Sequence, residues 1–109
     1  MLRYRAWADL ARAKYREAKR TEFPEIKFLG QIRYKRVSAM MFFQMPAGLN
    51  PATKKRMKGK PHDHTPDWDN LSKALCDALY PTGDEHIYDG RVQKFWDDGN
   101  GARVEVTLY

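Results

Sequence analysis

The chain has 109 residues, 42% of them apolar, and a formal net charge of +6. This length favours one domain over residues 1–109 and leaves too little chain for a second core, while the apolar content excludes a disordered protein. The single cysteine excludes an internal disulfide and is typical of a reducing compartment. No run is long enough to span a membrane, and the first residues lack the apolar core of a signal peptide, so we expect a cytoplasmic protein.

The net charge hides a strong asymmetry between the two parts of the chain. Residues 1–60 contain 16 Lys and Arg against 4 Asp and Glu, a net charge of +12, whereas residues 61–109 contain 4 against 10, a net charge of −6. Most charge runs are only solvated surface. A segregation this strong within one domain favours a polyanion bound by the basic part, with metal ions neutralising the carboxylates of the acidic part.

The first part of the chain predicts one helix and two strands. A helix over residues 2–19 is expected because apolar side chains recur there at spacings of three and four residues: Tyr4, Trp7, Ala8, Ala11, Tyr15 and Ala18. A strand-like run over residues 26–35 passes through Gly30. A second run, over residues 37–45, is apolar enough for a central strand, and Pro46 closes it because proline cannot donate to a sheet ladder.

The second part begins with a basic loop over residues 46–66, predicted from its prolines, glycines and lysines. A helix follows over residues 69–79, and its apolar stripe is Leu71, Ala74, Leu75 and Ala78. Strands are then expected over residues 87–96 and 103–109, joined by a turn. The order α-β-β-α-β-β predicts an α+β domain in which helices pack on a small mixed β-sheet.

Carboxylates gather around the start of the second predicted helix. Asp69, Lys73 and Asp77 fall on one helical stripe, roughly opposite the apolar one, and Asp67 lies just upstream of them. Asp84 follows the helix. Carboxylate oxygens are the ligands that hard divalent cations take, so these aspartates are candidate metal ligands. The alternative is that Asp67 or Asp69 only caps the helix, with Lys73 as the ion-pair partner of Asp69, and short Asp-x-Asp motifs more often have such a structural role.

Basic residues in the loop and on the first predicted helix form the candidate surface for binding a polyanion such as nucleic acid. Their irregular spacing favours contacts to phosphates over contacts to bases, although a solvated loop is the alternative. The residues are Lys54, Lys55, Arg56, Lys58, Lys60, Arg12 and Arg16.

Two histidines and the cysteine invite a metal interpretation that their spacing does not support. His62 and His64 stand at i, i+2, and Cys76 adds only one further ligand, which is too few for a zinc site. A contact to DNA, or support of a neighbouring ligand, is the better interpretation of the histidines. Cys76 lies within the predicted second helix, where it is expected to pack as a small side chain.

The acidic segment also carries an extended motif. It reads Pro66-Asp67-x-Asp69-Asn70-Leu71-x-Lys73-Ala74-x-x-Asp77-Ala78-Leu79, followed by Asp84 and by Asp89-x-Arg91-Val92-x-Lys94. Over residues 65–95 this resembles the RusA family of Holliday-junction resolvases, which are small, basic, dimeric, Mg²⁺-dependent endonucleases common in phages. The resemblance implies that Asp67, Asp69 and Asp84 bind Mg²⁺, with Mn²⁺ as an alternative, and that Lys73 is functional. Asn70 and Asp77 also occupy family positions, as supporting residues.

The resemblance further implies a homodimer that nicks both strands of a four-way junction in a bacterial or phage-infected cell. The chain departs from the family pattern in three places. Trp68 stands where Leu or Ile is usual, the segment before Asp84 is short, which makes Glu85 the fallback ligand, and a helix beginning at residue 2 leaves no room for the usual N-terminal strand. Three alternatives therefore stay open: an inactive protein that binds branched DNA, another nuclease such as an RNase, and an interaction module with an acidic face.

Overall fold

The protein is described by a computed structural model at residues 1–7, 26, 29–30, 34–64 and 67–109. Its strands are β1 (Leu2–Trp7), β2 (Arg36–Phe43), β3 (Asp89–Trp96) and β4 (Arg103–Leu108), and its helices are α1 (Pro51–Met57) and α2 (Trp68–Leu79), with a short 3₁₀ helix over Asp84–His86. Among these helices, none combines the length and apolarity needed to cross a membrane.

The four strands form one mixed sheet in the order β1-β4-β2-β3. β4 pairs antiparallel with both β1 and β2, whereas β2 and β3 run parallel. Parallel neighbours need a long crossover, because the chain must return to the same end of the sheet. Here α1 and α2 lie in that crossover, between β2 and β3. The predicted α+β class with helices on a mixed sheet is confirmed.

The hydrophobic core lies between α2 and one face of the sheet. Alternate residues of the strands point to this face, and α2 contributes side chains at four-residue spacing. All three leucines of α2 are fully buried, and burying each is worth about 1.5–3 kcal/mol. The main contributors are Val37, Ala39, Met41 and Phe43 of β2, Val104, Val106 and Leu108 of β4, and Leu71, Leu75 and Leu79 of α2.

The predicted helix over residues 2–19 is wrong where it can be compared, because residues 2–7 form β1. Residues 8–19 lie outside the described part of the chain. Leu2, Tyr4 and Ala6 also alternate with two arginines, which is the period of a strand, and all three contact the core. Pairing with β4 along its whole length overrides the helical propensity of the segment. The N-terminal strand expected to be missing is therefore present.

The strand-like run over residues 26–35 is not a strand at the residues that are described. Ile26 lies in a 3₁₀ turn, the Leu29 N–H donates to its carbonyl at 3.3 Å, and Gly30 continues the turn. Ile26 is fully buried, so its hydrophobicity serves the core from a turn. Gly30 lies against Tyr80, where a Cβ atom would overlap the tyrosine ring. The remaining strands and α2 match the prediction within about two residues at each end.

The predicted loop over residues 46–66 contains the helix α1. The Asn50 side chain caps this helix by accepting the Thr53 N–H at 2.8 Å, and Pro51 occupies its first position. Proline is favoured there because the N–H it lacks has no helical partner. The prolines had indicated a loop, but Asn50-Pro51 is equally a signal for a helix start.

On the other face of the sheet, Arg103 forms a buried ionic cluster that fixes the turn between β3 and β4. Its guanidinium donates two hydrogen bonds to Asp98, at 2.8 and 2.9 Å, and one to Glu105, at 2.6 Å. It also lies 3.8 Å over the ring of Phe42. These hydrogen bonds from Arg103 hold the pKa of Asp98 well below its usual range. Arg103 itself is only 3% exposed.

We predict that Arg103→Met lowers the free energy of unfolding by about 2–3 kcal/mol, because Asp98 and Glu105 lose charged hydrogen bonds in a partly buried site. Urea denaturation at pH 7 measures the change. Arg5→Met is the matched control, since Arg5 pairs with the same Glu105 at 3.3 Å but is 55% exposed, and it should cost less than about 0.5 kcal/mol. Equal effects of the two substitutions would contradict the assignment.

Candidate active site

The start of α2 presents two exposed carboxylates. Asp67 is the N-cap residue, with an extended backbone, yet its side chain makes no capping hydrogen bond. Asp69, in the first turn, accepts the N–H of the next residue, Asn70, at 2.9 Å. Capping therefore does not account for Asp67, whose carboxylate oxygens remain available to a ligand.

Lys73 lies one turn further along α2 and is exposed, as are Asp69 and Asp77. Within the described part of the chain no ion pair joins Lys73 to Asp69, so the alternative of a simple i, i+4 salt bridge is not supported. The opposite stripe of α2 is buried. The predicted division of this helix into a core face and a polar face is confirmed.

Asp84 begins the 3₁₀ helix that leads into β3, after Gly83 with φ of 90°. In α2, burial first, and then the charges of Asp84 and Asp77, raise the pKa of the Cys76 thiol. Asp84 is exposed, as are Asp67 and Asp69.

The carboxylates of Asp67, Asp69 and Asp84 can be compared with the ligands that a divalent metal ion requires. In the described ranges no group of three or more His, Cys, Asp or Glu side chains is arranged to hold one ion. Mg²⁺, however, commonly takes only one or two protein carboxylates and completes its shell with water and substrate phosphate. Asp67 and Asp69 fit that donor set, and Asp84 is a further exposed carboxylate. Glu85 is the alternative to Asp84 as the third metal ligand, and its Oε1 lies 3.8 Å from Nε2 of its neighbour His86.

A cavity of about 640 Å³ opens beside Asp67. Lys94 of β3 lines it and donates a hydrogen bond from Nζ to the His64 carbonyl. Burial lowers the pKa of this lysine, and the charges of Asp67 and Asp63 oppose the shift. Sequence reasoning assigned no role to Lys94, although its place in the motif Asp89-x-Arg91-Val92-x-Lys94 was a usable signal.

His62 forms the base of this region and is only 6% exposed. Its ring stacks on Phe43 at 4.4 Å between centroids and lies 4.2 Å from Trp96. Burial, and then the charge of Lys94, lower its pKa to about 4, so it is neutral at pH 7. Because His62 packs in the interior, the structure favours the alternative that it supports a neighbouring ligand over the alternative that it contacts DNA, and both stay predictions. His64 is exposed, and its Nδ1 lies 2.8 Å from Asp63.

The predicted basic surface is only partly described. Lys54, Lys55, Arg56, Lys58 and Lys60 are all exposed on α1 or just after it. Three of them, Lys54, Lys55 and Lys58, line a second cavity of about 720 Å³ together with residues 44–48 and the turn after β3. Arg12 and Arg16 lie outside the described residues. The structure thus gathers three of the predicted lysines around one concave surface.

The family assignment follows from the sequence as a whole. The model of the endodeoxyribonuclease RusA family matches residues 2–109, which include β1 as well as the acidic motif. The chain belongs to the RusA endodeoxyribonuclease family. Membership implies nuclease activity of the Holliday-junction resolvase type. A comparison with curated proteins found no match.

We predict that the buried His62 makes folding stability depend on pH. The unfolded chain takes up a proton at the ordinary pKa of 6.5, whereas the folded chain does so only near pH 4. The unfolded state therefore binds more protons between these values, and stability falls on acidification by at most about 1.4 kcal/mol per pH unit. Urea denaturation between pH 7 and 4.5 measures this slope.

Two variants isolate the contribution of His62. His62→Phe keeps an aromatic ring between Phe43 and Trp96 and should flatten the slope, while His64→Gln, at the exposed neighbouring histidine, should preserve it. The assignment fails if His62→Phe and the unmodified protein lose stability equally over this range.

Proposed function

We propose that this protein is a metal-dependent endonuclease that resolves four-way DNA junctions by paired nicks. The observation that carries the proposal is the pair Asp67 and Asp69 at the start of α2, exposed and not used for capping, in a chain that belongs to the RusA family. The lysines around α1 support it, because a concave cationic surface suits the phosphate backbone.

In the mechanism we propose, Asp67 and Asp69 would hold Mg²⁺, or Mn²⁺ in its place, at the site of cleavage. When bound, this ion supplies an activated water and polarises the phosphoryl oxygens. Lys73 is exposed on the same side of α2 as Asp69 and neutralises the phosphate. Asp84 is the third carboxylate that the family pattern implies, and Asn70 and Asp77 support the same face.

The proposed assembly is a homodimer acting on branched DNA. A four-way junction has approximate two-fold symmetry, so a two-fold dimer places one active site on each of two opposed strands. We place this activity in the cytoplasm of a bacterial or phage-infected cell. The alternative of an inactive junction-binding protein arose from the missing N-terminal strand, and the presence of β1 removes that reason.

The direct test is incubation of the full chain with a labelled four-way junction, in Mg²⁺ and in EDTA, with duplex DNA and RNA as competitors. Paired nicks at symmetric positions that require the metal would support a resolvase. Tight junction binding without nicks would contradict catalysis, and preferential cutting of RNA would favour an RNase.

We predict that Asp67→Asn and Asp69→Asn each lower the rate of junction cleavage by about 10³-fold or more, because a metal ligand contributes several kcal/mol to the transition state. The dissociation constant for the junction, measured by anisotropy in EDTA, should change less than about threefold. Asp89→Asn removes the same charge from an exposed carboxylate that pairs with Arg36, and it is the control. Loss of binding in both Asp variants would indicate a structural role.

We predict that replacing Lys54, Lys55 and Lys58 together by alanine weakens junction binding and flattens its salt dependence. Each lost phosphate contact should reduce the slope of log K against log salt by about 0.9, hence by about 2–3 in total. The matched control replaces Arg3, Arg5 and Lys35, which are exposed elsewhere and remove the same charge. Similar slopes for both triple variants would show that only net charge matters.

A further inference from the structure

Trp68 is the one residue between the two aspartates at the start of α2, and it is 53% exposed. Its indole N–H donates to the Val92 carbonyl of β3 at 2.7 Å. The polar atom of the ring is therefore already satisfied, and the bond holds the ring in one position against the sheet. The exposed part of the ring is therefore an apolar surface presented in a fixed orientation, as aromatic side chains at interfaces are.

The ring lines the cavity of about 640 Å³ beside Asp67. Cavities of roughly this size accommodate small organic ligands. The base of the cavity is rigid, because His62 is packed on Phe43 and Trp96. One wall carries Lys94, whose Nζ is held by the His64 carbonyl. An aromatic surface and an ammonium group in one cavity suit a nucleotide, which carries an aromatic base and a phosphate.

We propose that this cavity binds an unstacked nucleobase of the DNA at the branch point, stacked on Trp68, with its phosphate near Lys94. The proposal rests on the proposed function, since Trp68 is next in sequence to both aspartates assigned to the metal and lines the same cavity as Asp67. Bases where strands exchange have fewer stacking neighbours, so moving one out of the helix costs less there than within a duplex. Stacking on an aromatic side chain tolerates any base, which suits recognition of structure over sequence.

The test is a cycle of binding measurements in EDTA, which do not depend on cleavage. Junctions carry one abasic site, moved through the nucleotides that flank the exchange point, and are bound to the unmodified chain, Trp68→Leu and Trp68→Phe. At one position the abasic site should weaken binding by the unmodified chain about 5- to 100-fold. Trp68→Leu should bind the intact junction and this abasic junction equally. Trp68→Phe should keep part of the difference in affinity between them. Thermal melting confirms that each variant folds.

The outcomes separate this inference from the proposed function. If no abasic position distinguishes Trp68→Leu from the unmodified chain, the ring only packs and the inference is overturned, whether or not the protein cuts junctions. If the cycle shows coupling but Mg²⁺ produces no nicks, the base subsite stands and catalysis fails. If the chain does not bind junctions at all, both proposals fail together.

Discussion

The packing of α2 against the sheet is the constraint on which the candidate site depends. Three fully buried leucines at four-residue spacing fix the rotation of this helix, and the hydrogen bond from Trp68 to the Val92 carbonyl fixes its first turn over β3. With the apolar stripe inside, Asp69 and Lys73 must face solvent on one side. The site is thus built mainly by a helix whose position the hydrophobic core determines, which is a more rigid support than a loop.

The sheet contributes the other wall through β3, and its parallel pairing with β2 explains why the site lies where it does. The crossover that joins these strands contains both the lysines of α1 and the carboxylates of α2. The basic and acidic parts of the sequence therefore meet in one crossover, in which α1 carries the lysines proposed to bind DNA and α2 carries the aspartates proposed to bind the metal. The cationic residues lie around one cavity, and Asp67 lies at another, beside the buried His62 and Lys94.

Secondary structure was predicted correctly where the apolar residues recur with a single spacing, of a helix or of a strand. It was predicted wrongly at residues 2–7, where both spacings are present. The stripe of α2 and the alternation of β4 are clear patterns, and both elements are found as predicted. Residues 2–7 fit a helical and a strand pattern equally well, and only pairing with β4, more than 90 residues away, decides between them. The helix α1 was missed because the prolines, glycines and lysines of residues 46–66 together predicted a loop, although Asn50 before Pro51 forms a cap.

The candidate site was predictable in composition but not in arrangement. The motif identified the family, and the whole-length match confirms it. It did not indicate that His62 is buried between aromatic rings, since a histidine in a basic loop resembles a surface residue. Nor did spacing along the chain indicate that Asp84 lies in a 3₁₀ helix, which follows the left-handed turn at Gly83.

The most direct test of the central claim, that Asp67 and Asp69 form the metal site, is an anomalous-scattering map from crystals grown with Mn²⁺. The account predicts a peak within about 2–2.5 Å of carboxylate oxygens of both residues, at the start of α2. A peak at Asp77 and Asp84, with none at Asp67 and Asp69, would contradict it and move the metal site two helical turns along α2.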